Sequence, residues 1–188
     1  MKLFSKILLS SVVLSSIFVS TPSFALKKDF QSRHGLNVGD KIPTFDLSTD
    51  TSKLMKFDDN FKGKVLLLTV ANYCNKDLAG VWTINSFYKF SRHKEFAFPF
   101  IFSRRCVPFY VPDFFVSQSA NSTATQVRIP YFLMDWNEEV SSKFKGSIED
   151  PHVYVVDKNG IIRWKKILST PFQSQDEMNK LINKLIEE

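Results

Sequence analysis

The chain has 188 residues, with 25 basic and 19 acidic side chains, so its formal net charge is +6. This mild positive charge gives no nucleic-acid-binding signature. The length fits a single domain that can bury a proper core, so folding requires no disulfide scaffold.

The first 25 residues have the features of a secretory signal peptide. Two lysines precede an apolar run from Ile7 to Val19, and Ser23-Phe24-Ala25 follows it. Serines interrupt this run, and it is shorter than the roughly 20 apolar residues of a membrane span, so a retained anchor is the less favoured alternative. We therefore expect a mature domain over residues 26–188, without a stable membrane anchor, in the periplasm or outside the cell.

The central part of the chain predicts a strand, a helix and a second strand. Val65 to Val70 is a continuous apolar run, typical of a strand buried on both faces of a sheet. The spacing of apolar residues predicts a helix over Leu78 to Phe90, with Asn75 and Asp77 placed to start it. Phe96 to Phe102 is again short and apolar, which completes a right-handed βαβ unit.

The flanking segments are predicted from the same periodicities. Residues 34–46 indicate an extended lead-in and residues 47–61 a loop or hairpin. After the central unit we predict a short helix within a long connection, then a strand, a short helix, a hairpin and a closing amphipathic helix. These elements are expected at Val111–Ser119, Ile129–Met134, Asn137–Phe144, His152–Val156, Ile161–Ile167 and Ser174–Ile186.

Both cysteines, Cys74 and Cys106, follow predicted strands. An even cysteine count in an exported protein favours a disulfide. If the two strands are parallel neighbours, both cysteines emerge at the carboxyl edge of the sheet, where α/β folds place their sites. Neighbouring strands lie about 4.8 Å apart, which suits the Cα separation of a disulfide, so we predict a Cys74–Cys106 pair. A structural disulfide, a redox-active pair and two unpaired thiols all remain open.

The order of elements and three segments resemble the thioredoxin fold, in the longer form of peroxiredoxins and TlpA-like exported proteins. The segments are Val38 to Phe45, Phe61 to Leu67 and Asp150 to Gly160. The resemblance implies an α/β domain with a central mixed β-sheet flanked by helices. It also implies a cis peptide bond before Pro151, which would face the active-site turn and help to hold a substrate peptide. An ordinary trans proline that opens a strand is the alternative.

The catalytic motifs of these families do not occur intact in this sequence. Thioredoxin-like reductases use Cys-x-x-Cys, whereas this chain has Asp77 where the second cysteine would stand. Peroxiredoxins place a threonine three residues before the reactive cysteine, and Ala71 occupies that position. A closer resemblance is to YtfJ-type exported proteins, which are thioredoxin-like and lack the redox motif. It lies in Gly63 to Val65, Phe115 to Arg128 and Val155 to Lys166, and implies a fold and a compartment but no activity.

Two functions therefore remain open. The first is thiol-disulfide chemistry through Cys74, with Cys106 as its partner and with a helix amino terminus favouring the Cys74 thiolate. Nearby cations would add to this effect, the candidates being Lys76, Arg104 and Arg105. The second is a non-catalytic binding module of the bacterial envelope with a structural disulfide. It would hold a protein or peptide partner around Pro151 and the loop from Phe109 to Thr125.

Other candidate site residues are weaker. His152 follows Pro151, but a histidine packed in the core is the favoured interpretation. Asp77 could act as an acid or base near Cys74, although a helix-start carboxylate is the simpler assignment. The histidines are scattered and give no zinc spacing, so neither a metal nor a cofactor is expected.

Overall fold

A computed structural model describes residues 35–144, 150–169 and 175–188 of the chain. The predicted signal peptide and the predicted helix cap Ser174 lie outside these residues. Within the described ranges, no helix is long and apolar enough to cross a membrane.

The described residues contain one mixed sheet of eight strands. The strands are β1 (Asp46–Thr49), β2 (Leu54–Lys56), β3 (Val65–Asn72), β4 (Phe96–Ala97), β5 (Phe100–Ser103), β6 (Leu133–Asp135), β7 (His152–Val156) and β8 (Ile162–Ile167). Their spatial order is β2-β1-β6-β5-β3-β7-β8, and β4 pairs with β3 on the same side as β5. The pairs β3–β4, β3–β5 and β5–β6 are parallel, and the other pairs are antiparallel.

Helices cover both faces of this sheet. They are α1 (Phe57–Asn60), α2 (Lys76–Phe90), α3 (Asp113–Gln126), α4 (Glu139–Lys143) and α5 (Asp176–Glu187). Every residue of β3 is buried, because alternate side chains enter two separate apolar clusters. Leu67 packs in the cluster that contains Trp82 of α2 and Ile182 of α5, whereas Leu68 packs with Phe144 on the opposite face. The predicted α/β architecture, with its central mixed sheet and flanking helices, is confirmed.

The parallel pairing of β3 with β5 fixes the position of the two cysteines. Asn72, the last residue of β3, pairs with Ser103, the last residue of β5. The chain therefore leaves the sheet at two adjacent points and in the same direction. Cys74 follows two residues after the first point and Cys106 three residues after the second.

Two predicted strands are shorter in the structure, and proline explains both differences. The predicted strand over Phe96 to Phe102 is divided into β4 and β5, because Pro99 has no N–H to donate to the ladder. Its carbonyl still accepts the N–H of Thr69 at 3.0 Å, so the register continues across the gap. The strand predicted from residue 129 begins only at Leu133, after Pro130.

The connection after Cys106 contains a longer helix than its polar sequence predicts. The expected short helix near residues 111–119 is the helix α3, which continues to Gln126. Val116, Ala120 and Ala124 recur every four residues and form its buried stripe. Small alanine side chains gave this stripe a weak apolar signal among many serines and threonines, which is why the prediction ended too early.

Candidate functional site

The turn that carries Cys74 is built by two buried asparagines. The side-chain oxygen of Asn72 accepts the N–H of Cys74 at 2.8 Å and the N–H of Asn75 at 3.2 Å. In return, the side-chain oxygen of Asn75 accepts the N–H of Asn72 at 2.8 Å. This Asx-turn ends β3 and leads into α2, with Asn75 as the N-cap residue of that helix. Cys74 is thus held at the amino end of a fifteen-residue helix, with its side chain exposed.

The turn that carries Cys106 has a different construction. The N–H of Val107 donates to the carbonyl of Arg104 at 2.9 Å, so Cys106 is the third residue of a four-residue turn. Its φ is +73°, whereas Arg105 before it has a negative φ, and this combination is that of a type II turn. Glycine normally occupies this position, because a side chain is strained there.

The structure brings the two predicted site cysteines together. The N–H of Tyr73 donates to the carbonyl of Arg105 at 3.3 Å, which joins the two turns. The thiol of Cys74 is the main reason why the pKa of Cys106 lies above its ordinary value, so the two side chains are close enough to interact. Partial burial raises the pKa of Cys106 further, while the Arg105 guanidinium opposes the shift. Both sulfurs are free thiols in this structure.

The three cations expected near the cysteines are each paired with a carboxylate. Lys76 lies 3.2 Å from Asp77 and 4.8 Å from the ring centroid of Tyr73. The Nε of Arg104 lies 3.2 Å from Asp113, and Nε of Arg105 lies 3.0 Å from Glu138. Among these cations, only Arg105 contributes to the pKa shift of Cys106, where it favours the thiolate.

A small polar cavity lies beside the cysteine turns. Its volume is about 60 Å³, which suits a few water molecules. Its polar lining comes from both turns, from the start of α4 and from the residue before Pro151, and consists of Asn72, Asn75, Ser103, Arg105, Glu138, Ser141, Ser142 and Asp150.

Pro151 lies at the same edge of the sheet as the cysteine turns. His152, the next residue, pairs with Val70 of β3, and Asp150, the residue before, lines the polar cavity. No peptide bond among the described residues is cis, so the expected cis bond before Pro151 is wrong. Trans is the lower-energy form, and here it is compatible with the sheet, since the Pro151 carbonyl accepts the N–H of Leu168 at 2.9 Å.

The two weaker candidates have structural roles. His152 is fully buried, and its Nδ1 lies 3.0 Å from the hydroxyl of Tyr154, which confirms the expectation of a core histidine. Burial also raises the pKa of the Tyr154 hydroxyl strongly. Asp77 is exposed and pairs with Lys76 in the first turn of α2.

Four exposed aromatic side chains follow Cys106 closely in the chain. Phe109 is 93% exposed, Tyr110 73%, Phe114 68% and Phe115 57%. We refer to these four residues as the aromatic patch. Most other phenylalanines of the described residues are buried, so the patch is unusual for this chain.

Sequence reasoning missed two residues of this site. Asn72 could have been found, because an asparagine at the end of an apolar strand is a typical start of an Asx-turn. Glu138 could not, because it lies 33 positions after Arg105 and meets it only through the β5–β6 pairing. Glu138 also has a positive φ of 61°.

Comparison with known proteins identifies the fold. No family model and no curated protein sequence matches the chain. Solved structures do match. A thiol peroxidase from Chromobacterium violaceum aligns with a TM-score of 0.57 at 13% identity, covering 80% of this chain and 88% of its own. A thiol:disulfide interchange protein of the thioredoxin family from Chlorobium tepidum aligns with a TM-score of 0.56 at 14% identity, covering 80% and 99%.

A third match is a secreted disulfide oxidoreductase from Mycobacterium tuberculosis. It has a TM-score of 0.53 at 14% identity and covers 75% of this chain and 96% of its own. At such identities these likenesses define the fold only. The chain has a thioredoxin-like fold, as its sequence predicted.

Proposed function

We propose that this protein carries out thiol-disulfide exchange, with Cys74 as the attacking sulfur and Cys106 as the resolving sulfur. The observation that carries the proposal is the meeting of the two cysteine turns at the carboxyl edge of β3 and β5, where the N–H of Tyr73 donates to the Arg105 carbonyl at 3.3 Å. Thirty-one residues separate the cysteines in sequence, yet the parallel register makes them neighbours. The pair would thus replace the Cys-x-x-Cys arrangement that the chain lacks.

The roles of the two sulfurs follow from their surroundings. Cys74 is exposed and is fixed at the amino end of α2, where the sulfur of a substrate can reach it. Cys106 has a raised pKa and therefore holds its proton more firmly, which suits the sulfur that reacts second. Attack followed by resolution requires one accessible sulfur and a second thiol within reach of it.

The reaction in the reducing direction has two steps. The Cys74 thiolate attacks one sulfur of a substrate disulfide, a mixed disulfide forms, and the second substrate sulfur leaves as a thiolate that takes up a proton. Cys106 then loses its proton to solvent or to the leaving sulfur and attacks the Cys74 sulfur. The Cys74–Cys106 disulfide forms and the first substrate sulfur is released. The protein is oxidised by two electrons, the substrate disulfide is reduced to two thiols, and a dithiol reductant must restore the protein.

Export to the bacterial envelope is part of this proposal. The signal-peptide features of the first 25 residues support it, as does the likeness to a disulfide oxidoreductase that is described as secreted. Protein disulfides persist in that compartment, so substrates for exchange are present there. Protein or peptide partners are therefore the expected substrates.

A binding module with a structural Cys74–Cys106 disulfide is the second candidate function. The aromatic patch favours it, because exposed apolar clusters mark interaction surfaces. In this case the disulfide would only stabilise the fold, by about 3 to 4 kcal/mol in the chain-entropy model for a loop of this length. Partner capture would then be independent of the redox state.

Trapping of the mixed disulfide tests the proposed exchange. Reduced Cys106→Ser protein is incubated with a peptide disulfide, and the adduct is measured by intact mass. The proposal predicts a stable adduct on Cys74 of this variant and a transient one in wild type. Cys74→Ser, which keeps the other thiol, serves as the matched control and should form little adduct. Equal adduct formation by both variants, or none by either, would contradict the assignment.

A further inference from the structure

We infer that the aromatic patch is a docking surface for an apolar segment of the substrate polypeptide next to its reactive disulfide. This inference rests on the proposed exchange function and adds the class of substrate. It concerns Phe109, Tyr110, Phe114 and Phe115, which begin three residues after Cys106.

The patch is displayed by regular local structure. The N–H of Val111 donates to the carbonyl of Pro108 at 3.0 Å, so Phe109 and Tyr110 occupy the two corners of a hydrogen-bonded turn. Their rings contact each other edge to face at 5.7 Å between centroids. Phe114 and Phe115, in the first turn of α3, form a second pair at 5.6 Å.

Arg104 fixes this surface to the cysteine turn. Its guanidinium donates to the carbonyl of Val111 at 2.7 Å and lies 3.2 Å from the carboxylate of Asp113. Arg104 is also the first residue of the turn that holds Cys106. Arg104 therefore links the turn of Cys106 to the segment that carries both pairs of rings. A surface that is already ordered loses little conformational entropy on binding, and aromatic rings supply large contact areas at low entropic cost.

The charges around the patch favour an uncharged polypeptide segment over a membrane surface. Asp113 is the one charged residue between Phe109 and Phe115, and Arg104 pairs with it. Arg105 pairs with Glu138. Surfaces that bind anionic lipid combine aromatic residues with free lysines and arginines, and this segment offers none.

The size of the patch favours a transient peptide over a second copy of the chain. The four rings expose roughly 600 Å² if each side chain has about 200 Å² to bury. A stable dimer needs about 800 Å² from each partner. A short extended segment with one or two bulky apolar side chains matches the available surface better.

A comparison of two peptide substrates tests the inference. Both are disulfide-linked homodimers with one cysteine per strand, flanked by phenylalanine and leucine in one peptide and by serine and glycine in the other. The rate of mixed-disulfide formation is measured by stopped flow with reduced wild-type protein, with Phe109→Ser/Tyr110→Ser and with Phe114→Ser/Phe115→Ser. The control variant, Val38→Ser/Val81→Ser, removes two exposed valines outside the patch.

Wild type and the control variant should react about tenfold faster with the apolar peptide than with the polar peptide. Each patch variant should lose most of that preference. Its rate with the polar peptide should equal that of wild type. Equal wild-type rates for both peptides would overturn the inference and leave the exchange function intact. Reaction with neither peptide would instead refute the exchange function. Sedimentation that shows a patch-dependent dimer, or patch-dependent binding to anionic phospholipid vesicles, would assign the surface to a different occupant and also overturn the inference.

Discussion

The two turns that carry the cysteines are neighbours but are constructed in opposite ways. The Cys74 turn is satisfied by the side chains of Asn72 and Asn75, which accept its buried N–H groups. The Cys106 turn keeps a non-glycine residue at a φ of +73°. One turn is thus stabilised by local hydrogen bonds, whereas the other holds strain of about 1 to 2 kcal/mol.

This difference between the turns suits the proposed roles of Cys74 as the attacking sulfur and Cys106 as the resolving sulfur. An attacking sulfur needs a fixed position at the helix terminus, which the two asparagines provide. A resolving sulfur must approach that position, and the strained turn presents Cys106 to Cys74. The strain is maintained by contacts at the start of the turn, since the N–H of Arg105 donates to Ser103 Oγ at 3.2 Å and the N–H of Arg104 donates to the Asp135 carbonyl at 3.4 Å.

Removal of the Asn72 side chain should have the largest effect on stability. Asn72→Ala removes the acceptor of the Cys74 N–H and leaves the Asn75 N–H with only the backbone carbonyl of residue 72, at 3.3 Å, and a buried group left unsatisfied costs about 1 to 3 kcal/mol. We expect the free energy of unfolding in urea to fall by about 1 to 3 kcal/mol. The exposed control Asn183→Ala should change it by less than about 0.5 kcal/mol. Equal effects of the two substitutions would show that the asparagines do not hold the Cys74 turn.

Replacement of Cys106 by glycine should have a smaller effect of opposite sign. In reduced protein, Cys106→Gly relieves the strain at positive φ, whereas Cys106→Ala retains it. We expect the glycine variant to be more stable than the alanine variant by about 1 kcal/mol, as measured by urea unfolding under dithiothreitol. An alanine variant as stable as the glycine variant would mean that the turn is not strained.

The pH dependence of Cys106 alkylation should show the smallest change. Because the hydrogen bond to Cys74 is the first cause of the raised pKa of Cys106, Cys74→Ala should shift the alkylation midpoint of Cys106 to lower pH. The measurement is the rate of reaction with iodoacetamide at Cys106, followed by peptide mass spectrometry. A midpoint that stays the same or rises would contradict the thiol contact.

The raised pKa of Cys106 also determines how the stability of the folded protein changes with pH. A raised pKa means that folded protein binds more protons than unfolded protein above about pH 8.5, so stability falls as pH increases through that region. Reduced wild-type protein should therefore lose stability in alkaline solution faster than Cys74→Ala.

The fold was predictable because its main signals are local. The run that begins at Val65 has Thr69 as its one polar residue before Asn72, so β3 and its burial followed directly from the sequence. The proximity of the cysteines followed from one further assumption, the parallel pairing of β3 with β5, and that pairing is present. The split at Pro99 was a local signal that the prediction overlooked.

Other parts of the site depend on contacts between distant residues. Glu138 meets Arg105 only after β6 has paired with β5, and no local pattern indicates that contact. The positive φ of Cys106 depends on how its turn is anchored to β6 through the Asp135 carbonyl, which is a property of the folded chain. The cis bond before Pro151 was expected from family resemblance alone, and it failed because a trans proline also opens β7 without losing a sheet contact.

The reduction potential of the Cys74–Cys106 pair tests the central proposal most directly. The protein is equilibrated in graded glutathione and dithiothreitol buffers, and the oxidised fraction is measured by alkylation and mass shift. Thiol-disulfide exchange predicts a potential between about −270 and −120 mV, the range of catalysts of this reaction. A potential below about −300 mV would identify a structural disulfide and favour the binding module, and the absence of any disulfide would contradict the pairing itself.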